Sequence, residues 1–123
     1  MSHVGIVIIS HSVKVAEGIK EIIRQVVEEV PVEIAGGTDT GEVGTNIDKI
    51  IGAINRAYSD KGVLLFYDLG SAKMNAEMAV DLIDKEKIVL VEAPILEGAY
   101  VGAVEASLGK EIDEILTRLK ESF

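Results

Sequence analysis

Four short apolar runs alternate along the chain with stretches in which apolar residues recur every three or four positions. We interpret the runs as strands, at Gly5 to Ile9, Val32 to Ala35, Val63 to Tyr67 and Ile88 to Ala93. The first is a continuous apolar run with β-branched residues, which is typical of a strand buried on both faces. The third, "VLLFY", has the same character.

A helical pattern follows the first two strands. The first helix extends from Val15 to Val30, with Ser12 as its expected N-cap and Pro31 as the residue that ends it. The second helix contains the apolar positions between Ile47 and Ile54, and Thr45 is its candidate N-cap. Between them lies a loop rich in glycine and threonine, "GGTDTGEVGT".

Three more helices are predicted in the second half of the chain. The third leaves its strand through Gly70 and carries an apolar face formed by Met74, Met78, Leu82 and Ile83. Residues 97–108 form the fourth, and Gly109 separates it from the last helix. That helix has apolar positions at Ile112, Ile115, Leu116 and Leu119.

The alternation of strand and helix defines the expected fold class. It predicts an α/β protein with an open, mainly parallel sheet of about four strands, right-handed crossovers and helices on both faces. At 123 residues, with no linker, low-complexity tract or repeat, residues 1–123 are expected to form a single domain.

The amino-acid composition indicates which residues form the core and which chemistry and partners are disfavoured. Hydrophobic residues make up 48% of the chain and aromatic residues 4%, so the core is expected to consist of Ile, Val, Leu and Ala. Cysteine is absent, which excludes disulfides and thiolate chemistry. With no signal peptide and no membrane-length apolar stretch, we expect a cytoplasmic protein. A formal charge of −9 disfavours nucleic acid and anionic lipid as partners.

Polar residues follow each strand of the predicted sheet. In such folds ligands bind outside the carboxyl ends of the strands, at a topological switch point. His11 and Ser12 follow the first strand, Thr38 and Asp39 the second, Asp68 to Ser71 the third, and Pro94 to Gly98 the fourth. All of them are expected at the same rim.

His11 and Asp68 are the candidate pair for chemistry at this rim. A carboxylate can hold one ring nitrogen of a histidine as the donor and leave the other free to attack. The alternatives are structural: His11 can help to begin the first helix, and Asp68 can complement the dipole of the third. Two rim residues of matching chemistry favour the functional interpretation of both.

The segment "DLGSA" adds a glycine and a serine at a helix start. Free backbone N–H groups there bind anions, and the "SHS" turn begins another helix at the same rim. Together they predict an anion pocket around His11 that suits a phosphoryl group. The glycines can instead serve only the tight turns.

Other cofactor sites are poorly supported. The loop "GGTDTGEVGT" lacks the lysine of a phosphate-binding P-loop, and the first strand-to-helix turn lacks a dinucleotide fingerprint. His3 stands at the N-terminus, and no His-x-x-x-His pair exists, so we expect no metal site and no cofactor.

Four ordered motifs resemble one family along nearly the whole chain: "GIVIISHS", "AGGTDTGEVGTN", "LLFYDLGSAKMN" and "APILEGAYVGAVEASLG". They look like DhaM, the phosphotransferase subunit of the phosphoenolpyruvate-dependent dihydroxyacetone kinases. The resemblance implies the fold of the mannose-type enzyme IIA domains. It also implies a homodimer without a metal or nucleotide of its own.

The resemblance assigns roles to the rim residues. His11 would receive a phosphoryl group from the carrier protein HPr and pass it to ADP bound on the kinase subunit DhaL. Asp68 would orient the imidazole. The backbone around Gly70 and Ser71, together with Thr45 and Ser12, would hold the phosphoryl oxygens. Some longer family members append HPr-like domains; because this chain ends at Phe123, a separate phosphoryl donor is expected.

Three alternatives stay open at this point. A mannose-class sugar-transporter enzyme IIA domain shares the fold and the histidine, but its members resemble "D-x-x-G-G-S-P-x-N" where this chain has "DLGSAKMN". A receiver-like signalling module phosphorylated on Asp68 would need acidic residues after the first strand, where this chain has "SHS". A flavin- or nucleotide-binding domain is the weakest alternative, because there is no phosphate loop and no tryptophan.

Overall fold

A four-stranded parallel sheet forms the centre of the computed structural model, which describes residues 2–123. The strand order is β2-β1-β3-β4. The strands are β1 (Gly5–Ser10), β2 (Val32–Gly36), β3 (Val63–Tyr67) and β4 (Ile88–Leu90). In this register Ile8 lies between Ile34 of β2 and Phe66 of β3. The chain order therefore reverses between β1 and β3, which makes that crevice the switch point of the sheet.

Helices cover both faces of the sheet within the described residues. They are α1 (Val13–Arg24), α2 (Ile47–Ala57), α3 (Gly70–Ile83), α4 (Ile95–Ser107) and α5 (Ile112–Ser122). Helices α1, α4 and α5 pack on one face, and α2 and α3 pack on the other. The predicted open parallel α/β sheet is confirmed.

Strand β1 is buried on both faces of the sheet. Ile6 and Ile8 point to the face of α1 and α4, Val7 and Ile9 point to the face of α2 and α3, and all four are fully buried. Burying a side chain of this size contributes about 1.5–3 kcal/mol.

Helix α4 lies unusually close to the sheet. A Cβ atom on Gly98 would come within 2.8 Å of the Ala93 Cβ, and one on Gly102 would come within 3.1 Å of the Phe66 ring. The two glycines thus make room for the fully buried Phe66. A larger residue at either position would displace the helix from β3.

Helix α1 is shorter than its apolar pattern suggested. It ends at Arg24, whereas the periodicity predicted a helix to Val30. The guanidinium of Arg24 donates to the carbonyls of the segment that follows, at 3.2 Å to Val27, 3.1 Å to Glu28 and 2.9 Å to Val30. These carbonyls therefore need no further helical turn, although Val27 and Val30 still pack into the core.

Two other boundaries differ from the predictions. Thr45 is not the N-cap of α2, because the side-chain oxygen of Asn46 accepts the Lys49 N–H at 2.9 Å and begins the helix one residue later. Strand β4 is shorter than Ile88 to Ala93. After the Val91 N–H donates to the Leu65 carbonyl at 2.9 Å, the chain turns away towards α4.

The apolar face of α3 is not its buried face. Ala72, Ala76 and Ala79 are fully buried, whereas Met74, Met78 and Leu82 are 66%, 52% and 68% exposed. Alanines let α3 approach the sheet and α2 closely, and the larger apolar side chains are left on the outside. Ile83, the fourth predicted member of that face, is half-buried against the same core.

Candidate functional site

The candidate site lies at the switch point, where the carboxyl ends of β1 and β3 are adjacent. His11 follows β1 directly, and Asp68 follows β3 directly. The parallel pairing of Ile9 with Tyr67 brings these two turns side by side. The structure thus brings together His11 and Asp68, which are 57 residues apart in the chain.

The two nitrogens of the His11 ring have different partners. Nδ1 lies 2.9 Å from the Asp68 Oδ1, and Nε2 lies 2.7 Å from the Ser71 Oγ. A carboxylate only accepts hydrogen bonds, so it selects the tautomer in which Nδ1 carries the proton. The Nε2 lone pair then accepts the Ser71 hydroxyl. Nε2 is therefore the ring nitrogen with the available lone pair, and its contact with Ser71 is exposed.

Asp68 receives hydrogen bonds from both turns. Its Oδ1 accepts from the His11 Nδ1–H and from the Leu69 N–H at 2.7 Å. Its Oδ2 accepts from the His11 N–H and from the Ser10 hydroxyl, both at 2.9 Å. The carboxylate is consequently held at four points.

These contacts set the charge state of Asp68. Partial burial raises the pKa of the carboxyl, but the hydrogen bonds from His11, Ser10 and Leu69 stabilise its ionised form and together bring the pKa below its ordinary value. The side chains of His11 and Asp68 are 18% and 20% exposed, so the pair is sheltered yet still reached by solvent. Asp68 is thus ionised at neutral pH and accepts a hydrogen bond from the Nδ1–H.

Helix α3 begins beside Nε2 without a capping side chain. Its N-cap is Leu69, which has no side-chain acceptor, and the Ala72 and Lys73 N–H groups both donate to the Leu69 carbonyl. Among the hydrogen bonds of residues 2–123, the Gly70 and Ser71 N–H groups have no acceptor. Free amides at the positive end of a helix dipole attract an anion.

Gly70 leaves this helix start open. A Cβ atom built there would meet no atom within 4 Å. The glycine is therefore not required by packing, and the space beside the amide is unfilled.

Ser12 lies at the start of α1, as predicted. Its hydroxyl oxygen accepts the Val15 N–H at 3.3 Å, so the predicted N-cap is confirmed. Its own N–H donates to the Ser10 hydroxyl oxygen at 3.0 Å. Ser12 is next to His11 but bonds to the backbone of its own helix rather than to the imidazole.

Thr45 stands in the loop before α2 and contacts α3. Its hydroxyl oxygen accepts from the Asn75 side-chain amide. The preceding residue, Gly44, donates its N–H to the His11 carbonyl at 2.9 Å. This loop therefore lies against the His11 turn, with Thr45 held between α2 and α3 and no bond to the ring.

Two participants were missed by the sequence analysis. Ser10 is fully buried at the end of β1 and binds Asp68, and Asn75 holds Thr45. The only signal for Ser10 was its place in "SHS", directly before the histidine. Asn75 is part of "DLGSAKMN", where it is one turn after Ser71 on α3.

The two histidines lie at opposite ends of β1. His3 precedes the strand, and its carbonyl accepts the Ser59 hydroxyl at 3.1 Å. Within residues 2–123 no three His, Cys, Asp or Glu side chains are grouped so that they could hold a metal ion. Over the same range, no helix is both long and apolar enough to cross a bilayer.

Residues 5–116 match the EIIA-man family model, described as the PTS system fructose IIA component. The chain therefore belongs to the EIIA-man family of phosphotransferase-system IIA components. Curated relatives narrow this class, and the chain belongs to the DhaM family of phosphotransferase subunits.

The relatives cover this chain almost completely. The phosphoryl donor subunit DhaM of PEP-dependent dihydroxyacetone kinase 1 from Listeria innocua is 46% identical over 94% of this chain and 92% of its own length. The phosphotransferase subunit DhaM of the PTS-dependent dihydroxyacetone kinase from Lactococcus lactis is 37% identical, with 95% and 94% covered. Escherichia coli DhaM is 35% identical over 92% of this chain, which spans 25% of that longer protein.

Solved structures share the fold. The crystal structure of EF1359, a protein of unknown function, superposes with a TM-score of 0.87 at 36% identity, covering 98% of this chain and 94% of that one. A sigma-54 interaction domain protein from Enterococcus faecalis superposes with a TM-score of 0.73 at 14% identity, covering 99% and 91%. At that identity the second match shows the fold alone.

Proposed function

We propose that this chain is the phosphoryl carrier subunit of a phosphoenolpyruvate-dependent dihydroxyacetone kinase. In this role it takes a phosphoryl group from HPr onto His11 and passes it to ADP on the kinase subunit DhaL. The observation that carries the proposal is that the two nitrogens of the His11 ring have different partners. Nδ1 is held by Asp68, while Nε2 faces the uncapped start of α3.

The first transfer uses the free lone pair of Nε2. Nε2 attacks phosphorus, the bond between phosphorus and the donor breaks, and its electron pair stays with the donor. The Ser71 hydroxyl, 2.7 Å from Nε2, gives up its position to the incoming group. Because Nδ1 keeps its proton, the phosphorylated ring carries a positive charge, which the Asp68 carboxylate compensates.

The second transfer reverses this bond. A terminal oxygen of ADP attacks phosphorus, the N–P bond breaks, and the electron pair returns to Nε2. The protonated ring is a good leaving group because it departs as a neutral imidazole. Between the two transfers, the Gly70 and Ser71 amides and the Ser71 hydroxyl bind the phosphoryl oxygens, with Ser12 and Thr45 at the edge. Positioning and electrostatics supply most of the catalysis in such reactions.

Radiolabelling from phosphoenolpyruvate tests the acceptor. With enzyme I and HPr present, the wild-type protein is expected to take up label that is lost in acid and kept in alkali, as for a phosphohistidine. His11→Ala should remain unlabelled, and His3→Ala, which alters the other histidine, should label normally. Uptake by His11→Ala, or label lost in alkali as from an aspartyl phosphate, would contradict the proposal.

The sugar-transporter alternative differs in the acceptor. All three relatives described above are dihydroxyacetone kinase subunits, which supports the kinase branch. Purified labelled protein is expected to discharge onto DhaL containing ADP and to keep its label with a mannose-class enzyme IIB. The reverse pattern would assign the chain to sugar transport.

We also propose that the chain acts as a cytoplasmic homodimer that binds neither nucleic acid nor membrane. The exposed apolar side chains of Met78 and Leu82 on α3, together with the position of β4 at the edge of the sheet, support the dimer. Analytical ultracentrifugation is expected to give a dimer, which Leu82→Glu converts to a monomer. Ile22→Glu, an exposed apolar position on α1, is the matched control and should leave the dimer intact.

A further inference from the structure

Ser10 is a polar residue in an otherwise apolar strand. It is the last residue of β1, its side chain is fully buried, and the four residues before it are Ile6, Val7, Ile8 and Ile9. A buried hydroxyl is costly unless it is hydrogen-bonded, so its partners identify what it does.

Both hydrogen-bonding roles of the Ser10 hydroxyl are used. The oxygen accepts the Ser12 N–H at 3.0 Å, and the O–H donates to the Asp68 Oδ2 at 2.9 Å. Because an ionised carboxylate only accepts hydrogen bonds, the hydroxyl proton is directed at Asp68. The chain of bonds connects the first turn of α1 to Asp68, and each bond polarises the next.

This bond acts on the oxygen of Asp68 that does not touch the imidazole ring. Oδ2 is held by the Ser10 hydroxyl and by the His11 N–H, and Oδ1 is thereby turned towards the His11 Nδ1. Without Ser10, Oδ2 would keep only the His11 N–H, while Oδ1 would keep the Leu69 N–H and the His11 Nδ1–H. The Ser10 hydroxyl supplies the second contact on Oδ2, so that each oxygen of the carboxylate is held by two donors.

We propose that Ser10 is a positioning residue for phosphoryl transfer, which acts through Asp68 to hold His11 with its proton on Nδ1 and its lone pair on Nε2. This role rests on the proposed function of His11. It assigns no contact between Ser10 and the phosphoryl group, because the hydroxyl is buried beneath the turn.

The test compares Ser10→Ala with Ser59→Ala. Ser59 is a matched control: its hydroxyl donates to the His3 carbonyl and accepts the Lys61 N–H, both at 3.1 Å, at the opposite end of the sheet. The first readout is the rate of phosphorylation by phospho-HPr at fixed concentration. Ser10→Ala should be slower by roughly tenfold, since it loses a hydrogen bond to a charged group, and Ser59→Ala should match the wild type.

The second readout is the tautomer of His11, measured from the ¹⁵N chemical shifts of its ring. The wild type should hold the proton on Nδ1, and Ser10→Ala should move part of the population to Nε2. A purely structural role would not change this ratio. In the Asp68→Asn background, Ser10→Ala should cause little further loss of rate, because the two residues act in series.

Ser10→Cys has a similar volume and a weaker donor, and it serves as the test if Ser10→Ala does not fold. An intermediate rate is expected for it. A wild-type rate and tautomer in the folded variant, or an equal loss in Ser59→Ala, would overturn the role of Ser10. His11→Ala is measured in parallel. If that variant still takes up label, the proposed function is contradicted. If His11→Ala is unlabelled and Ser10→Ala behaves as the wild type, only the role of Ser10 is contradicted.

Discussion

Helices α1 and α3 both begin beside His11, but their first turns are built differently. At α1 the Ser12 hydroxyl oxygen accepts the Val15 N–H, so a side chain caps one amide of the first turn, while the Val13 and Lys14 N–H groups have no acceptor among residues 2–123. At α3 the N-cap is Leu69, which offers no side-chain acceptor, and the Gly70 and Ser71 amides have no acceptor among residues 2–123. A capped start contributes stability, whereas an uncapped start keeps its donors for a ligand.

The two helix starts therefore differ in their expected use: the start of α1 serves stability, and the start of α3 serves ligand binding. Both helix dipoles point their positive ends at the rim, yet only the start of α3 carries a side chain, Ser71, that bonds to Nε2. Asp68 lies between the two starts and bonds to residues of both turns. Substitutions at these positions test whether the comparison describes function or only folding.

The largest effect is expected for Asp68→Asn. The neutral amide fills the same space but cannot compensate the positive charge of a phosphorylated His11 ring. We expect the rate of phosphorylation by phospho-HPr to fall on the order of a hundredfold. The measurement is single-turnover labelling, with circular dichroism as the check on folding. An unchanged rate would remove Asp68 from the proposed mechanism.

Asp68 should also make stability depend on pH. Its folded pKa lies below the ordinary 3.8 because its hydrogen bonds favour the charged form. Its stabilising contribution is therefore complete above that ordinary value and is lost as pH falls through the lower folded pKa. Urea unfolding of wild type and Asp68→Asn should show a gap at neutral pH that narrows below about pH 4. A gap independent of pH would contradict this account.

Capping α3 should have the next largest effect. Leu69 has the extended backbone of an N-cap and is 59% exposed, so Leu69→Asp can cap the helix without disturbing the core. We expect a more stable protein, by about 1 kcal/mol, and a rate of phosphorylation roughly tenfold lower. Thermal unfolding and single-turnover labelling measure the two effects.

Two further variants at this position separate capping from charge. Leu69→Asn caps without a charge, and Leu69→Ala removes the leucine without adding a cap. We expect Leu69→Asn to show part of the reduction in transfer rate and Leu69→Ala to transfer at the wild-type rate. Wild-type transfer by Leu69→Asp would mean that the α3 amides do not bind the phosphoryl group.

Removing the cap of α1 is expected to act mainly on folding. Ser12→Ala leaves the Val15 N–H without its acceptor and should cost about 1 kcal/mol in the free energy of unfolding. Transfer should slow by a few-fold at most, because the Ser12 hydroxyl is at the edge of the site. Denaturant unfolding and labelling measure the two effects. A loss of transfer as large as that of Asp68→Asn would reverse the contrast between the two helices.

The smallest effect is expected at Gly70. Gly70→Ala keeps the backbone N–H and places a methyl group where no atom lies within 4 Å. It should raise the free energy of unfolding by about 0.5–1 kcal/mol and change the transfer rate little. Thermal unfolding and labelling check both. A strong loss of transfer would show that the empty space at Gly70, and not only its amide, receives the phosphoryl group.

The fold and the proximity of His11 and Asp68 could be predicted from the sequence. Buried strands appear as continuous apolar runs, and the residue after each run lies at a rim that the parallel topology defines. His11 and Asp68 each follow such a run, so their proximity could be predicted without contacts. Helix α3 marks the limit of this approach. Periodicity grouped Met74, Met78 and Leu82, but close packing buried the alanines of the same helix instead.

By itself, the sequence determined a parallel α/β sheet and placed the histidine and the carboxylate at the rim formed by the carboxyl ends of its strands, because apolar runs and the residues that follow them are local features of the chain. Only the tertiary structure decided the rest of the site. The free lone pair on Nε2 depends on which ring nitrogen Asp68 reaches. The bond from Ser10 depends on the burial of the β1 end, and the hydrogen bond to Thr45 depends on Asn75 of another helix. Each of these is a contact between segments distant in the chain, and its geometry is set by how the helices pack on the sheet.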